Sequence, residues 1–253
     1  FLMKELSEQK PDIGLMIVSD EEIGGANGTK FLSSRGFGGE FILAPEPNHS
    51  ASPEQLNITI AEKGVLWLKV SSSGKACHGS RPWLGKNAIE QLMEGYMQIK
   101  KLFPETDTQT HWETTVNLGA IHGGDSPNRV PDYAEMRLDI RFTAETNPKE
   151  LLEKISSIPG IQVEIIEQSS TLNNSPDEPL IQKLKLCAEE TTGKEVSLIQ
   201  EHGASDLRFF SEKGIPAVIF GPMGENFHGK DEFVHISSIE LLYKTLKKFI
   251  LSV

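Results

Sequence analysis

Three acids stand in a row at Asp20-Glu21-Glu22, just after an apolar run, and a fourth, Glu46, follows a second short apolar run. Crowded carboxylates repel one another. A divalent cation resolves that repulsion, because oxygen ligands and a cation compensate each other. In such a pair one glutamate can bind the metal while its neighbour activates a water as general base. For the dipeptide alone, a solvated acidic turn is the stronger reading, and Glu46 shifts the balance if the two strand ends meet in space. His228, in Phe227-His228-Gly229-Lys230-Asp231-Glu232, is a loop histidine of the kind that ligates metal. His78, in Ala76-Cys77-His78-Gly79-Ser80-Arg81-Pro82, could donate to a developing oxyanion. Taken singly, His228 reads more readily as an inert surface residue and His78 as a local cap.

The elements that must position these groups follow from periodicity. Asp12 to Val18 is apolar almost throughout and reads as a strand of a parallel sheet, buried on both faces. Its carboxyl end is where α/β sheets place ligands. Gly24 to Arg35 reads as a helix and Phe41 to Ala44 as a second strand. From Val65 the pattern changes to strand (Val65 to Val70), helix (Asn87 to Phe103), strands (Thr114 to Ile121, Tyr133 to Phe142), helix (after the Asn147-Pro148 start) and strand (around Ile161 to Ile165). That order is the split βαβ, ferredoxin-like pattern. Alternating α/β texture then returns, with helices at Glu178 to Thr192, Asp206 to Lys213 and Ser238 to Leu251, and strands at Val196 to Gln200 and Ala217 to Phe220. The fold class expected is α/β with an inserted α+β domain: residues 1–63 and 169–253 form one domain and 64–168 the insertion.

Composition narrows the partners. The 253 residues are 38% hydrophobic and 24% charged, enough for a packed core, and the net charge of −11 argues against nucleic acid and anionic membrane. Two distant cysteines, Cys77 and Cys187, suit a reducing, cytoplasmic setting without a disulfide framework. No apolar run reaches the length of a membrane span and no signal peptide opens the chain. The start, Phe1-Leu2-Met3-Lys4-Glu5-Leu6, reads as helix interior, so a truncated chain is expected.

The motifs Asp20-Glu21-Glu22-Ile23-Gly24-Gly25, Glu46-Pro47, His78-Gly79-Ser80-Arg81-Pro82-Trp83, Asn128-Arg129-Val130-Pro131, Leu138-Asp139-Ile140-Arg141, Gly203-Ala204-Ser205-Asp206-Leu207-Arg208 and His228-Gly229-Lys230-Asp231-Glu232 resemble, in order, those of the M20 metallopeptidases and deacylases. The resemblance implies a zinc-peptidase-like catalytic domain, an inserted dimerisation domain and two zinc ions per subunit, with cobalt as a possible substitute. By position, Glu21 resembles the general base, Glu22 and His228 ligands of one zinc, and Glu46 a ligand of the other. His78 resembles the histidine that reaches a partner subunit's site and supports the oxyanion, which implies a homodimer. Asn128, Arg141 and Arg208 match positions that hold the substrate's carboxylate or carbonyl, a task that suits arginine's fork. The implied reaction is hydrolysis of the amide bond of an N-acyl amino acid, of acetylornithine or succinyl-diaminopimelate type. Dipeptidase or carboxypeptidase activity, or an inactive fragment serving only as a dimerisation module, remain alternatives. The family also has an early His-x-Asp motif and a bridging aspartate. Neither occurs before Asp20 here, so this polypeptide by itself is expected to be inactive.

Overall fold

The computed structural model describes residues 2–9, 11–49, 52, 54–105 and 111–253. By internal contacts the chain divides into two units, Phe1–Glu62 with Leu172–Val253, and Lys63–Thr171. The boundaries read from the sequence fall at 63/64 and 168/169.

The first pass through unit 1 contains α1 (Leu2–Leu6), α2 (Thr29–Ser34), β1 (Ile42–Ala44), β2 (Asn48–His49) and β3 (Asn57–Glu62). Unit 2 follows with β4 (Gly64–Ser73), β5 (Cys77–His78), α3 (Ala88–Lys100), β6 (Thr115–Gly123), β7 (Arg129–Val130), β8 (Tyr133–Phe142), α4 (Pro148–Ser156) and β9 (Gln162–Ser169). The second pass through unit 1 supplies β10 (Leu172–Asn173), α5 (Pro179–Thr192), β11 (Ser197–Glu201), α6 (Arg208–Ser211), β12 (Ala217–Ile219), β13 (Met223–Glu225), β14 (Phe233–Val234) and α7 (Ile236–Ile250).

Unit 2 is the ferredoxin-like pattern that the element order implies: an antiparallel sheet β6-β8-β4-β9 with the crossover helices α3 and α4. In β8 every second residue (Ala134, Met136, Leu138, Ile140, Phe142) is buried, and these pack with Leu66, Leu68 and Val70 of β4 and Leu92 and Ile99 of α3. Asn87 caps α3 by accepting from the N–H of Ile89 and Glu90, and Asn147 caps α4 by accepting from Lys149 N–H. Pro148 at the first helical position gives up no hydrogen bond there.

Unit 1 is built on a mixed sheet. β1 runs parallel to β12, β12 antiparallel to β3, and β3 also pairs with β10 and β11. β3 is buried at all six positions. Its Ile58 packs with Leu184 of α5, Val218 of β12 and Phe249 of α7 in the main core cluster. Two asparagines, Asn48 buried and Asn174 half-buried, stitch the sheet. Asn48 donates to Asn57 O and accepts from the Thr59 hydroxyl, and Asn174 donates to Ile60 O and Ala217 O. Buried amides of this kind are tolerated because they are hydrogen-bonded.

Two expectations for unit 1 are corrected. Residues 12–18 form no strand, and Leu15 and Ile17 are 68% and 82% exposed. A run apolar on both faces becomes a central strand only where neighbouring strands and covering layers take it up, and among the described residues none pairs with it. The helix expected over 24–35 is shortened to α2, Thr29–Ser34. Gly24 and Gly25 take left-handed φ of 99° and 65°, so the chain turns there before the helix begins.

Candidate active site

The acidic turn is a single 3-10 turn, Glu21–Ile23. Asp20 O accepts from Ile23 N–H at 3.2 Å and from Gly25 N–H at 2.8 Å. The Asp20 carboxylate reaches forward to accept from Asn27 and Gly28 N–H at 2.7 and 3.0 Å. Asp20 therefore shapes the loop through Oδ2, its Oδ1 being buried without a hydrogen-bond partner, while Glu21 stays half-buried and Glu22 exposed.

Other loops of unit 1 bring their charges to the same place. Glu46 follows β1, held by a close backbone approach: a Cβ on Gly221, after β12, would lie 1.9 Å from Glu46 O. Burial, followed by the charges of Glu21, Glu62, Asp206 and Glu22, pushes the Glu46 carboxyl up to about 7. Burial, then Asp206 and Glu22, also raises Glu21, opposed by Arg208 and His228. Glu21, Glu22, Glu46 and His228 thus lie within one electrostatic neighbourhood. His228 sits in a tight turn (Gly229 N–H to Asn226 O, 2.7 Å) with a left-handed φ of 59°, and its own N–H is held by Glu232. A non-glycine residue in that region costs on the order of 1 kcal/mol and marks a side chain whose direction matters.

Two buried acids in this neighbourhood were given no role in the sequence reading. Glu62 is 4% exposed and accepts from Ser205 N–H and from the Ser205 hydroxyl at 2.6 Å. Burial raises it, and those two bonds work the other way. Asp206 is 6% exposed and is raised by burial and by Asp20, with Arg208 and Thr29 opposing. The signal that singled out Glu46, an acid closing an apolar strand, is present at Glu62 after Ile58-Thr59-Ile60-Ala61. Asp206 carries no such signal.

Arg208, expected to hold substrate, is buried. Its guanidinium donates to Ser205 O at 2.7 Å and Gly24 O at 3.1 Å, faces Asp206 at 3.6 Å and stacks on Phe209. In unit 2, Arg141 is engaged by Asp139 through Nε and a terminal nitrogen at 2.9 and 3.3 Å, and the same carboxylate accepts from Trp67 Nε1. His78 and Asn128 are brought side by side where β5 pairs with β7, with Gly79 N–H donating to Asn128 O at 2.7 Å. Ser80 N–H donates to His78 Nδ1. A backbone amide can only donate, so Nδ1 accepts, which in the neutral ring leaves the proton on Nε2 of this exposed residue.

Among the described residues, no group of three or more histidine, cysteine, aspartate or glutamate side chains is gathered tightly enough to hold a metal ion. Catalytic zinc takes three protein ligands. Glu22 with His228, and Glu46 apart from them, do not by themselves fit that requirement.

The comparisons with known proteins bear on this geometry. A peptidase dimerisation domain of the M20 type matches residues 60–160. An uncharacterised metallohydrolase of Methanocaldococcus jannaschii is 26% identical over 95% of this chain and 66% of its own length. A protein named succinyl-diaminopimelate desuccinylase, from Thioalkalivibrio sulfidiphilus, is 25% identical over the same shares. A probable carboxypeptidase of Aspergillus clavatus is 35% identical over 58% of this chain and 36% of its own. Among solved structures, aminopeptidase PepT from Bacillus cereus superposes with a TM-score of 0.80 at 21% identity, covering 98% of this chain and 67% of that one. The mixed α/β fold with its inserted unit is thus the M20 peptidase fold. The chain is similar to these metallohydrolases and peptidases, and residues 60–160, most of which lie in unit 2, match the M20 peptidase dimerisation domain. It spans about two thirds or less of the length of the curated relatives named above.

Proposed function

We propose that this chain is part of a zinc-dependent hydrolase that cleaves the amide bond of an N-acyl amino acid. The carrying observation is that Glu21, Glu22, Glu46 and His228, on three separate loops of unit 1, lie near enough for their charges to act on Glu21 and Glu46. The neighbouring carboxylates raise Glu21 and Glu46, and a dication would relieve that repulsion. In this reading Glu22 and His228 are ligands of one zinc and Glu46 of a second. Those three residues alone fall short of the three protein ligands that a catalytic zinc takes.

The chain's own groups divide the remaining work. Glu21, half-buried and raised, accepts a proton from the attacking water and passes it to the leaving amine. His78 presents Nε2–H to the tetrahedral oxygen of a second copy's site, which makes a homodimer the working unit. Asn128 is the remaining exposed candidate for holding the substrate's carbonyl. Residues 1–63 and 169–253 are then the catalytic domain and 64–168 the dimerisation domain. Two free cysteines suit a cytoplasmic setting, and no described helix is long and apolar enough to cross a membrane. Cleavage of dipeptides or of C-terminal residues is the second reading, favoured by the likeness to a protein named carboxypeptidase.

The test is a panel of N-acetyl and N-succinyl amino acids against dipeptides. It is run with the protein at its relatives' full length and with residues 1–253 alone. The longer protein is expected to hydrolyse the acyl amino acids, with Glu21→Gln lowering kcat by roughly 10²–10⁴. The shorter chain is expected to be inert. Undiminished turnover in Glu21→Gln, or zinc-dependent turnover by residues 1–253 alone, overturns the assignment.

A further inference from the structure

The turn carrying Glu21 and Glu22 is gripped from outside by a segment that takes no part in the proposed chemistry. One terminal nitrogen of Arg208 donates to Gly24 O at 3.1 Å, and the other donates to Ser205 O at 2.7 Å. The Asp206 carboxylate lies directly against Gly25, where a Cβ would fall 2.2 Å from its Oδ1. The segment from Ser205 to Arg208 therefore meets two successive residues of the turn, immediately after the acidic pair.

This brace is an expensive one. The Arg208 and Asp206 side chains are only 10% and 8% exposed, and they face each other at 3.6 Å, longer than a hydrogen-bonded ion pair. Arg208 Nε is buried without a hydrogen-bond partner. Well-packed apolar side chains of similar volume commonly serve stability as well as a buried ion pair does. What an apolar pair cannot do is hold the carbonyl of Gly24 in one direction.

We infer that Arg208 and Asp206 are positioning residues for the Glu21–Glu22 turn, Arg208 by holding the Gly24 carbonyl and Asp206 by orienting Arg208 and closing the face of Gly25. This rests on the reading of Glu21 and Glu22 as base and metal ligand. It also moves Arg208 from substrate contact to support, since both ends of its fork are bonded to backbone carbonyls within unit 1. Position matters because small misplacements of catalytic groups carry large rate costs.

Hydrogen–deuterium exchange of the 253-residue chain separates this role from general stability. In Arg208→Met the amides over 20–25 are expected to exchange roughly tenfold faster, the loss of one hydrogen bond to a charged donor, with α5 and α7 unchanged. Arg208→Lys, which keeps one donor within reach, restores most of the protection. Asp206→Asn, a gentler change that serves if Arg208→Met does not fold, gives an intermediate acceleration. Unchanged exchange over 20–25, or an increase spread evenly through unit 1, overturns the inference. In the full-length enzyme, Arg208→Met is expected to lower kcat by roughly tenfold or more with KM nearly unchanged. A raised KM with intact kcat makes Arg208 a substrate ligand and overturns it too. Absence of turnover in the wild-type enzyme removes the functional reading alone, because the exchange result stands without it.

Discussion

The strands at Tyr133–Phe142 and at residues 12–18 look equally strand-like as sequence, yet only the first is a strand. β8 pairs on both sides, with β4 and β6, and its inward residues meet a core drawn wholly from unit 2. The apolar run of 12–18 has no pairing strand among the described residues; Leu15 and Ile17 lie open, and Met16 packs against the small core cluster of Leu172, Phe210 and Ile219. Periodicity reports what a segment could bury; whether it does so depends on partners that the segment itself does not encode.

The sharpest way to break that contrast is Ile140→Ala. Ile140 is fully buried at the centre of unit 2, and removing three carbons there is expected to cost about 2–5 kcal/mol, read as a lower denaturation midpoint for unit 2. A cost below about 1 kcal/mol would mean that the core is looser than its burial implies.

Glu46→Gln probes the crowded charges of unit 1. A carboxyl raised in the folded state favours folding below its unfolded pKa, and that contribution is lost as pH rises through the folded value. For Glu46 the window runs from the model-peptide 4.5 to about 7. The metal-free chain should therefore lose stability across that window, by on the order of 2–3 kcal/mol for this group. Glu46→Gln should flatten the slope and be the more stable form at pH 8. Equal pH slopes in denaturant titrations of the two proteins would show that Glu46 is not so crowded.

Ile17→Ala is the smallest effect. With its side chain in solvent, the change should stay within about 0.5 kcal/mol in the 253-residue chain. A large loss would mean that residues 12–18 do find a partner.

Unit 2 was nearly legible from the sequence because its elements alternate cleanly and carry explicit caps, Asn87 and Asn147, and because all its partners fall within one stretch of chain. In unit 1 the sequence singles out Glu21 and Glu22 after an apolar run that proves not to be a strand, Glu46 after β1, and the loop histidine His228. It misses β3, whose paired strands β11 and β12 and covering helices α5 and α7 all lie on the far side of the insertion. Nothing in Ser205-Asp206-Leu207-Arg208 reveals that the guanidinium turns back to Gly24. Side-chain direction in a loop is set by tertiary partners, and composition does not carry it.

The register of β4 against β9 places Val65 opposite Ser169, so folding of unit 2 alone draws its entry and exit points together. Closing so long a loop otherwise costs about 4 kcal/mol in chain entropy. Unit 1 can then zip β3 to β10, β11 and β12 as though the insertion were a short hairpin. During synthesis the inserted unit would emerge complete while β3 still waits for its neighbours, so it would serve as the staple on which the split sheet assembles. Pulse-labelled exchange should find β4 and β8 protected before β3, and the reverse order would rule this out.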